Sequence, residues 1–364
     1  MTGLEDPPES RIEQARSGAK IADLRAHLLD VLNHASQALF ISIGHKTGLI
    51  DTLARLPACT SEQLAKEARL NERYVREWLG AMVVSGLVEY DPPTRTYVLP
   101  RDHAVVLTGM LPSMVGMAQV VPVLLALEPA IVDCFRAGGG LPYSALTGFK
   151  SGVAVGPSTA DAGLLETTLP QAPGLVDRLR SGVDIAEIGC GDGHRLNVMA
   201  DAFPHSRFTG YDFSTEGIAK GNAEAAKLEL TNAHFELLDL ARLDTPDAFD
   251  VIIGFDAIHD LAQPRTVLQN VYAALRAGGT FFMDDVRTSS SLENNIGHPL
   301  GPLIYLWSLT HCMPLSLAQN GEGLGAAWGV ERATEYLRRA GFQKVEVKVP
   351  DGELIHCIYV CTKE

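Results

Sequence analysis

The chain has 364 residues, 46% of them apolar, enough to bury a sizeable core and to form two domains. Its 30 basic residues face 44 acidic ones, and the net charge of −14 gives no general support to a phosphate, nucleic-acid or membrane surface. The six cysteines form no C-x-x-C pair and the start, "MTGLEDPPESRIEQ", has no apolar core of a secretory signal, so buried reduced thiols and a cytoplasmic protein are expected.

Residues 10–56 are predicted helical, with apolar side chains at i, i+3, i+4 spacing. In "TSEQLAKEARLNERYVREWLGAMVVSGLVEYDPPTRTYVLP", Thr60 or Ser61 can cap a helix, with Gln63 or Glu62 near the capping-box position. Asn71 can cap a second helix running toward Gly86. "LVEYD" and "TYVL" then flank Pro92 and Pro93, which predicts a two-stranded wing and so a winged helix. Its second helix offers Arg73 and Arg76, but Glu72 and Glu77 stand among them, and Trp78, Met82 and Val83 are packing positions. Dimerisation is therefore expected of this module rather than reading of a major groove.

Ala104 to Leu127 carries no formal charge, which is long enough to raise the question of a membrane span. Gly109, Pro112, Gly116 and Pro122 interrupt it, so two or three short helices buried in a core or subunit interface are expected instead. The chain is accordingly divided into a winged-helix dimerisation domain at 1–105, a helical connecting and substrate-facing region at 106–178, and a third domain at 179–364.

From Leu179 onward, strands alternate with helices. Strands are predicted at 183–188, 207–211, 234–238, 250–254, 280–283, 345–349 and 355–361, and helices near 194–202, 215–227, 264–276 and 331–340. This alternation predicts a mostly parallel sheet covered on both faces. Only "PDGE" separates the last two strands, which should form an antiparallel hairpin.

The first of these strands runs into "DIAEIGCGDG", an acid at Glu187 followed by Gly189, Gly191 and Gly193. A dinucleotide fingerprint needs a third glycine at 194, where His194 stands, and no Gly-Lys-Ser/Thr follows to make a P-loop. A strand ending in an acid and a glycine turn suits a zwitterionic nucleoside better than a pyrophosphate.

A parallel sheet closed by an antiparallel hairpin and opening on E-x-G-x-G-x-G resembles the class I S-adenosylmethionine-dependent methyltransferases, with their Rossmann-like seven-stranded α/β sheet. With a winged helix ahead of it, and "GGGLPYSALTGF" at 138–149 joining the parts, the chain resembles the small-molecule O-methyltransferases of plant caffeate and bacterial antibiotic biosynthesis. The resemblance implies a homodimer through an intertwined N-terminal domain and S-adenosyl-L-methionine as cofactor. Gly189, Cys190, Gly191 and Gly193 would lie under its methionine part, and Glu187 would face its amino group. Asp212 would accept from the ribose hydroxyls, and Phe213 would lie beside the adenine. Asp239 would accept from the adenine amino group, Leu240 would offer its backbone N–H, and Phe255 would complete the cofactor wall.

The resemblance further implies a small acceptor and a base. His259-Asp260, in "FDAIHD", resembles the His-Asp pair of the plant enzymes, in which the histidine deprotonates the acceptor hydroxyl. Packing alone is the competing role for His259. The long segment 286–330 can build a lid and an apolar acceptor pocket, with His311, Met313 and Trp328 as lining candidates and core packing as the alternative. Asp284 and Asp285 bring a metal to mind, but adjacent side chains on an extended segment point opposite ways, so no metal is expected. A winged-helix regulator that senses S-adenosylmethionine or another small molecule is the rival reading, and it would need a basic face on the 71–85 helix.

Overall fold

A computed structural model describes residues 8–108, 114–146 and 162–364. The chain divides into two compact units, the boundary falling between Val123 and Leu124. Part of the uncharged run, at 109–113, and part of the predicted joining segment, at 147–149, lie outside the described residues.

The first unit begins with a 39-residue helix, α1 (Pro8–Lys46), followed by α2 (Leu49–Arg55), α3 (Ser61–Ala68) and α4 (Glu72–Val84). The capping box forms with Thr60 and Gln63, and Asn71 caps α4 by accepting from Arg73 N–H at 3.0 Å. Strands β1 (Glu89–Asp91) and β2 (Thr96–Val98) pair antiparallel as the wing, and α5 (Arg101–Leu107) closes the unit's described core. That core gathers Leu53, Leu64, Leu79 and Met82, with Trp78 donating its indole N–H to Phe40 O at 2.9 Å. On α4, Arg73 pairs with Glu77 and Arg76 with Glu72, so its two arginines are neutralised within the helix. The basic face that a DNA-reading helix needs is absent from α4.

Helix α6 (Met114–Leu125) carries Pro122 within it, and α7 (Glu128–Ala137) follows. Among the described residues no single helix is long and apolar enough to cross a membrane, although the bent pair Met117–Leu125 and Glu128–Ala137 together reach that composition.

The second unit is built on a seven-stranded sheet of order β5-β4-β3-β6-β7-β9-β8. Its strands are β3 (Asp184–Ile188), β4 (Arg207–Asp212), β5 (Ala233–Leu237), β6 (Phe249–Phe255), β7 (Leu275–Val286), β8 (Lys344–Lys348) and β9 (His356–Thr362). The first five are parallel, and β9 runs antiparallel to both β7 and β8. Helices α8 (Leu175–Ser181), α9 (His194–Ala202), α10 (Thr215–Lys227), α11 (Pro264–Ala274) and α12 (Val330–Ala340) accompany it. The central strands are apolar on both sides because both faces are covered. Ile252, Phe281 and Met283 pack with Trp328 and Tyr359 on one face, while Val251, Ile253 and Phe282 pack with Leu196 and Met199 on the other. Strand β7 begins five residues earlier than the sequence pattern indicates. Leu275 already pairs with Phe249, and a register shift around Gly278 (φ +74°) intervenes before regular pairing resumes at Thr280.

Candidate active site

The order β5-β4-β3 brings the ends of three consecutive strands side by side. Strand β3 delivers Glu187, followed by Gly189 (φ +68°), Gly191 (φ +60°) and Gly193 (φ +75°), all in the left-handed region that favours glycine. A Cβ on Gly189 would also meet Ala257 Cβ at 2.7 Å. Gly191 N–H donates to Asp212 Oδ2 at 2.8 Å and Ser214 N–H to Asp212 Oδ1 at 2.8 Å. Asp212 therefore ties the glycine turn to the end of β4.

Glu187 is buried, and its Oε2 has no hydrogen-bond partner among the described residues. Burial pushes its carboxyl up to about 8, with Arg195 opposing the rise. The Arg195 guanidinium lies 4.9 Å from the centre of the buried Phe255 ring. Phe213 leaves 42% of its surface open and meets Tyr143 edge-on at 5.2 Å. Asp239 caps the short turn Leu240–Arg242 through Ala241 N–H at 3.0 Å, and Leu240 is buried behind it. Cys190 is buried in the glycine turn.

Beyond β6, the turn Ile258–Asp260 carries His259, which is only 3% exposed. Its Nδ1 lies 2.7 Å from Asp285 Oδ1 on β7. The same oxygen accepts from Val286 N–H at 2.7 Å and from the Trp328 indole at 3.2 Å. A carboxylate can only accept, so Nδ1 carries the proton and Nε2 the lone pair of the neutral ring. Nε2 faces Asp260 Oδ1 at 3.4 Å and Cys312, while His311 Nδ1 lies 3.8 Å from Asp260 Oδ2. Burial opposes the charged imidazole, but Asp285 and Asp260 outweigh it and hold the His259 pKa well above its ordinary value. Burial pushes the neighbouring Cys312 thiol up to about 12.

Asp284 and Asp285 do point to opposite faces of β7, as their adjacency requires. Asp285 meets His259, whereas Asp284 belongs with Asp256 and His356. Asp256 has φ +49°, and its Oδ1 lies 3.1 Å from His356 Nε2. Burial works against the charge on His356, but Asp256 and Asp284 together raise its pKa to about 10.

The long segment after β7 is helical rather than open. Helix Gly301–Trp307, a widened π-turn at Ser308–Cys312 and helix Met313–Ala318 follow one another. The π-turn brings His311 and Cys312 to the His259 turn, and the partly buried Met313 begins the next helix. Trp328 is 1% exposed and packs in the core beneath His259. Leu141 N–H donates to Pro314 O at 3.0 Å, so the connecting region packs on this segment within the second unit. Asp285, Arg195, Cys312 and the Asp256–His356 pair were not singled out for a site by sequence reasoning. The alternation of the two adjacent aspartates indicates only that their side chains part, and in the sequence it speaks against a metal.

Residues 35–109 match the family described as Rv2258c-like winged HTH domain, and residues 179–307 match that described as methyltransferase domain. A Mycolicibacterium smegmatis protein named "Probable S-adenosylmethionine-dependent methyltransferase" is 27% identical over 172 residues, 46% of this chain and 60% of that relative's length. The fold is shared with human N-acetylserotonin methyltransferase, solved with SAM, at 17% identity and a TM-score of 0.66, covering 100% of both chains. It is also shared with the mitomycin 7-O-methyltransferase, at 16% identity and a TM-score of 0.62, covering 95% of this chain and 99% of that one.

Proposed function

The chain joins a winged helix-turn-helix domain to a methyltransferase domain of class I fold, and from this we propose that it transfers a methyl group from S-adenosylmethionine to a hydroxyl of a small acceptor. The observation that carries the cofactor is the buried, unpartnered Glu187 oxygen beside three left-handed glycines. A cationic amino group lying on that bare turn would satisfy the carboxylate, and backbone N–H groups there could meet the carboxylate of the same amino acid. Asp212, Phe213, Asp239, Leu240 and Phe255 are the residues we assign to the nucleoside side. Titration calorimetry with S-adenosylmethionine and S-adenosylhomocysteine tests this reading, and absence of heat from both would remove it.

When bound, the cofactor supplies an electrophilic methyl group, and the protein's task is to hold the acceptor oxygen on the axis of displacement. We assign His259 as the base, because Asp285, itself held by the Trp328 indole, fixes Nδ1 and leaves Nε2 facing Asp260 and Cys312. The acceptor oxygen has to displace Asp260 and Cys312 from Nε2, so entry goes with movement of the Ser308–Cys312 turn. His311 and Met313 would line that entry, and Trp328 acts from below through Asp285. The name of the mitomycin neighbour supports oxygen as the accepting atom.

We further assign a homodimer to the first unit. Ile21, Leu24, Leu28 and Leu32 form an exposed apolar stripe along α1, with Leu32 65% exposed. An apolar groove lined by Phe40, Ile43, Tyr74, Trp78, Ala81 and Val84 lies on the same unit. Surface of this kind is covered in most stable proteins.

A further inference from the structure

We propose that His259, Asp260 and Cys312 form a binding site for a divalent cation of the zinc class. One donor atom from each, the imidazole nitrogen, a carboxylate oxygen and the thiol sulfur, all lie within 4.8 Å of one another. Zinc takes these three ligand types at about 2.0–2.3 Å, which sets tetrahedral neighbours about 3.3–3.8 Å apart, so closure needs side-chain movement of about 1 Å. The thiol and imidazole select a soft or borderline ion, whereas magnesium and calcium require oxygen ligands.

Three further observations converge on the same point. Asp285 holds the far nitrogen of His259 at 2.7 Å, the arrangement that orients and strengthens a metal-binding imidazole. Asp260 Oδ1 is buried without a hydrogen-bond partner among the described residues, although it stands 3.4 Å from His259 Nε2. Cys312 ends a π-turn, a widening of the helix that recurs at functional sites, and this turn also places His311 Nδ1 at 3.8 Å from the second Asp260 oxygen. Three protein donors leave a fourth position for water or an acceptor oxygen.

Binding breaks the Cys312 S–H bond and the Nε2–H bond of the protonated His259 ring, sends both protons to the buffer and forms sulfur–metal and nitrogen–metal bonds, with no change of oxidation state. The metal also takes the Nε2 lone pair, so the metal-bound chain cannot use His259 as a base. The site stands on the placement of its donors and not on the cofactor assignment, although it shares His259 with the proposed base.

The test is a titration of the metal-free full-length protein with Co²⁺, a spectroscopic substitute for zinc, in a buffer whose reductant is not a thiol. A thiolate-to-cobalt absorption band should appear, saturate at one ion per chain and vanish when zinc is added. Cys312→Ser should abolish the band, and Asp260→Asn should keep it while weakening cobalt affinity at least about tenfold. No band in the wild type, or the same band in Cys312→Ser, overturns the site. Asp260→Asn carries the test should the buried serine unfold the chain, and unchanged cobalt affinity in that variant overturns it equally. S-adenosylhomocysteine affinity, measured on the same samples, separates this outcome from the other reading: cobalt binding without cofactor binding removes the methyltransferase and leaves the metal site, and the converse does the reverse.

Discussion

Asp285 accepts a hydrogen bond from His259 Nδ1 at 2.7 Å, joining the end of β7 to the turn after β6. The Trp328 indole and Val286 N–H converge on the same oxygen, so the ring is fixed by a carboxylate that is itself held by two other donors. Asp260, the chain neighbour of His259, meets the opposite ring edge instead. The His-Asp pair visible in the sequence and the His-Asp pair that orients the ring are thus different pairs.

His259→Ala should lower turnover on a hydroxyl acceptor by about 10²–10⁴-fold, the usual range for loss of a general base. Affinity for S-adenosylhomocysteine should hold. The deficit should shrink as pH approaches the acceptor's own pKa, about 10 for a phenol, because the ionised acceptor needs no base. Asp285→Asn should slow the same reaction, and adding it to His259→Ala should cost little more, since the two act as one unit. Wild-type turnover in His259→Ala would assign the histidine to packing.

Asp212→Ala should weaken S-adenosylhomocysteine binding strongly in calorimetry. The side chain holds Gly191 N–H and Ser214 N–H, so the variant leaves two backbone donors unpaired as well as removing the proposed ribose acceptor. A stability loss of about 1–3 kcal/mol should accompany it, read by urea unfolding. Undiminished affinity in a folded variant would remove the site assignment.

Stability should fall as pH rises from neutral toward the His356 pKa of about 10. The ordinary value is 6.5, so the folded state keeps a proton that the unfolded state has lost, and the stabilisation is complete only below the unfolded value. Asp256, Asp284 and Glu353 face His356; Asp256 is held well below the usual carboxylate range despite its burial, by His356, and Asp284 is pushed up by burial to about 7. Above neutrality His356 is therefore the member of this group still releasing its proton. His356 is 32% exposed, so solvent screens the pair and the slope should be shallower than about 1.4 kcal/mol per pH unit. Urea unfolding at about pH 7 and about pH 9.5 should show this decline in the wild type and a flatter response in His356→Gln. Equal slopes in both would separate His356 from the alkaline loss.

The full-length protein should scatter light as a dimer at micromolar concentration, and Leu28→Glu combined with Leu32→Glu should shift it toward monomer. Both side chains lie on the exposed apolar stripe of α1, so charging them should not disturb the core of their own unit. A monomeric wild type would contradict the assignment.

Periodicity and punctuation in the sequence determined most of the elements. Thr60 and Asn71 start α3 and α4, helices α9 and α10 fall on their predicted spans, and each of the seven strands of the large sheet lies on or overlaps its predicted segment. These are local matters, set by caps, alternation and glycine. The glycine turn and the acid before it were legible for the same reason, since strand end, turn and helix start lie within ten consecutive residues. Only the tertiary structure decided what surrounds His259. Its partners come from β7, from a turn 52 residues beyond Asp260 and from Trp328, and no spacing rule links segments that meet only after a sheet has been assembled. The alternation of β7 could say that Asp284 and Asp285 part company, but not which face receives the histidine. That depended on strand order and register, which are set by the packing of both sheet faces at once.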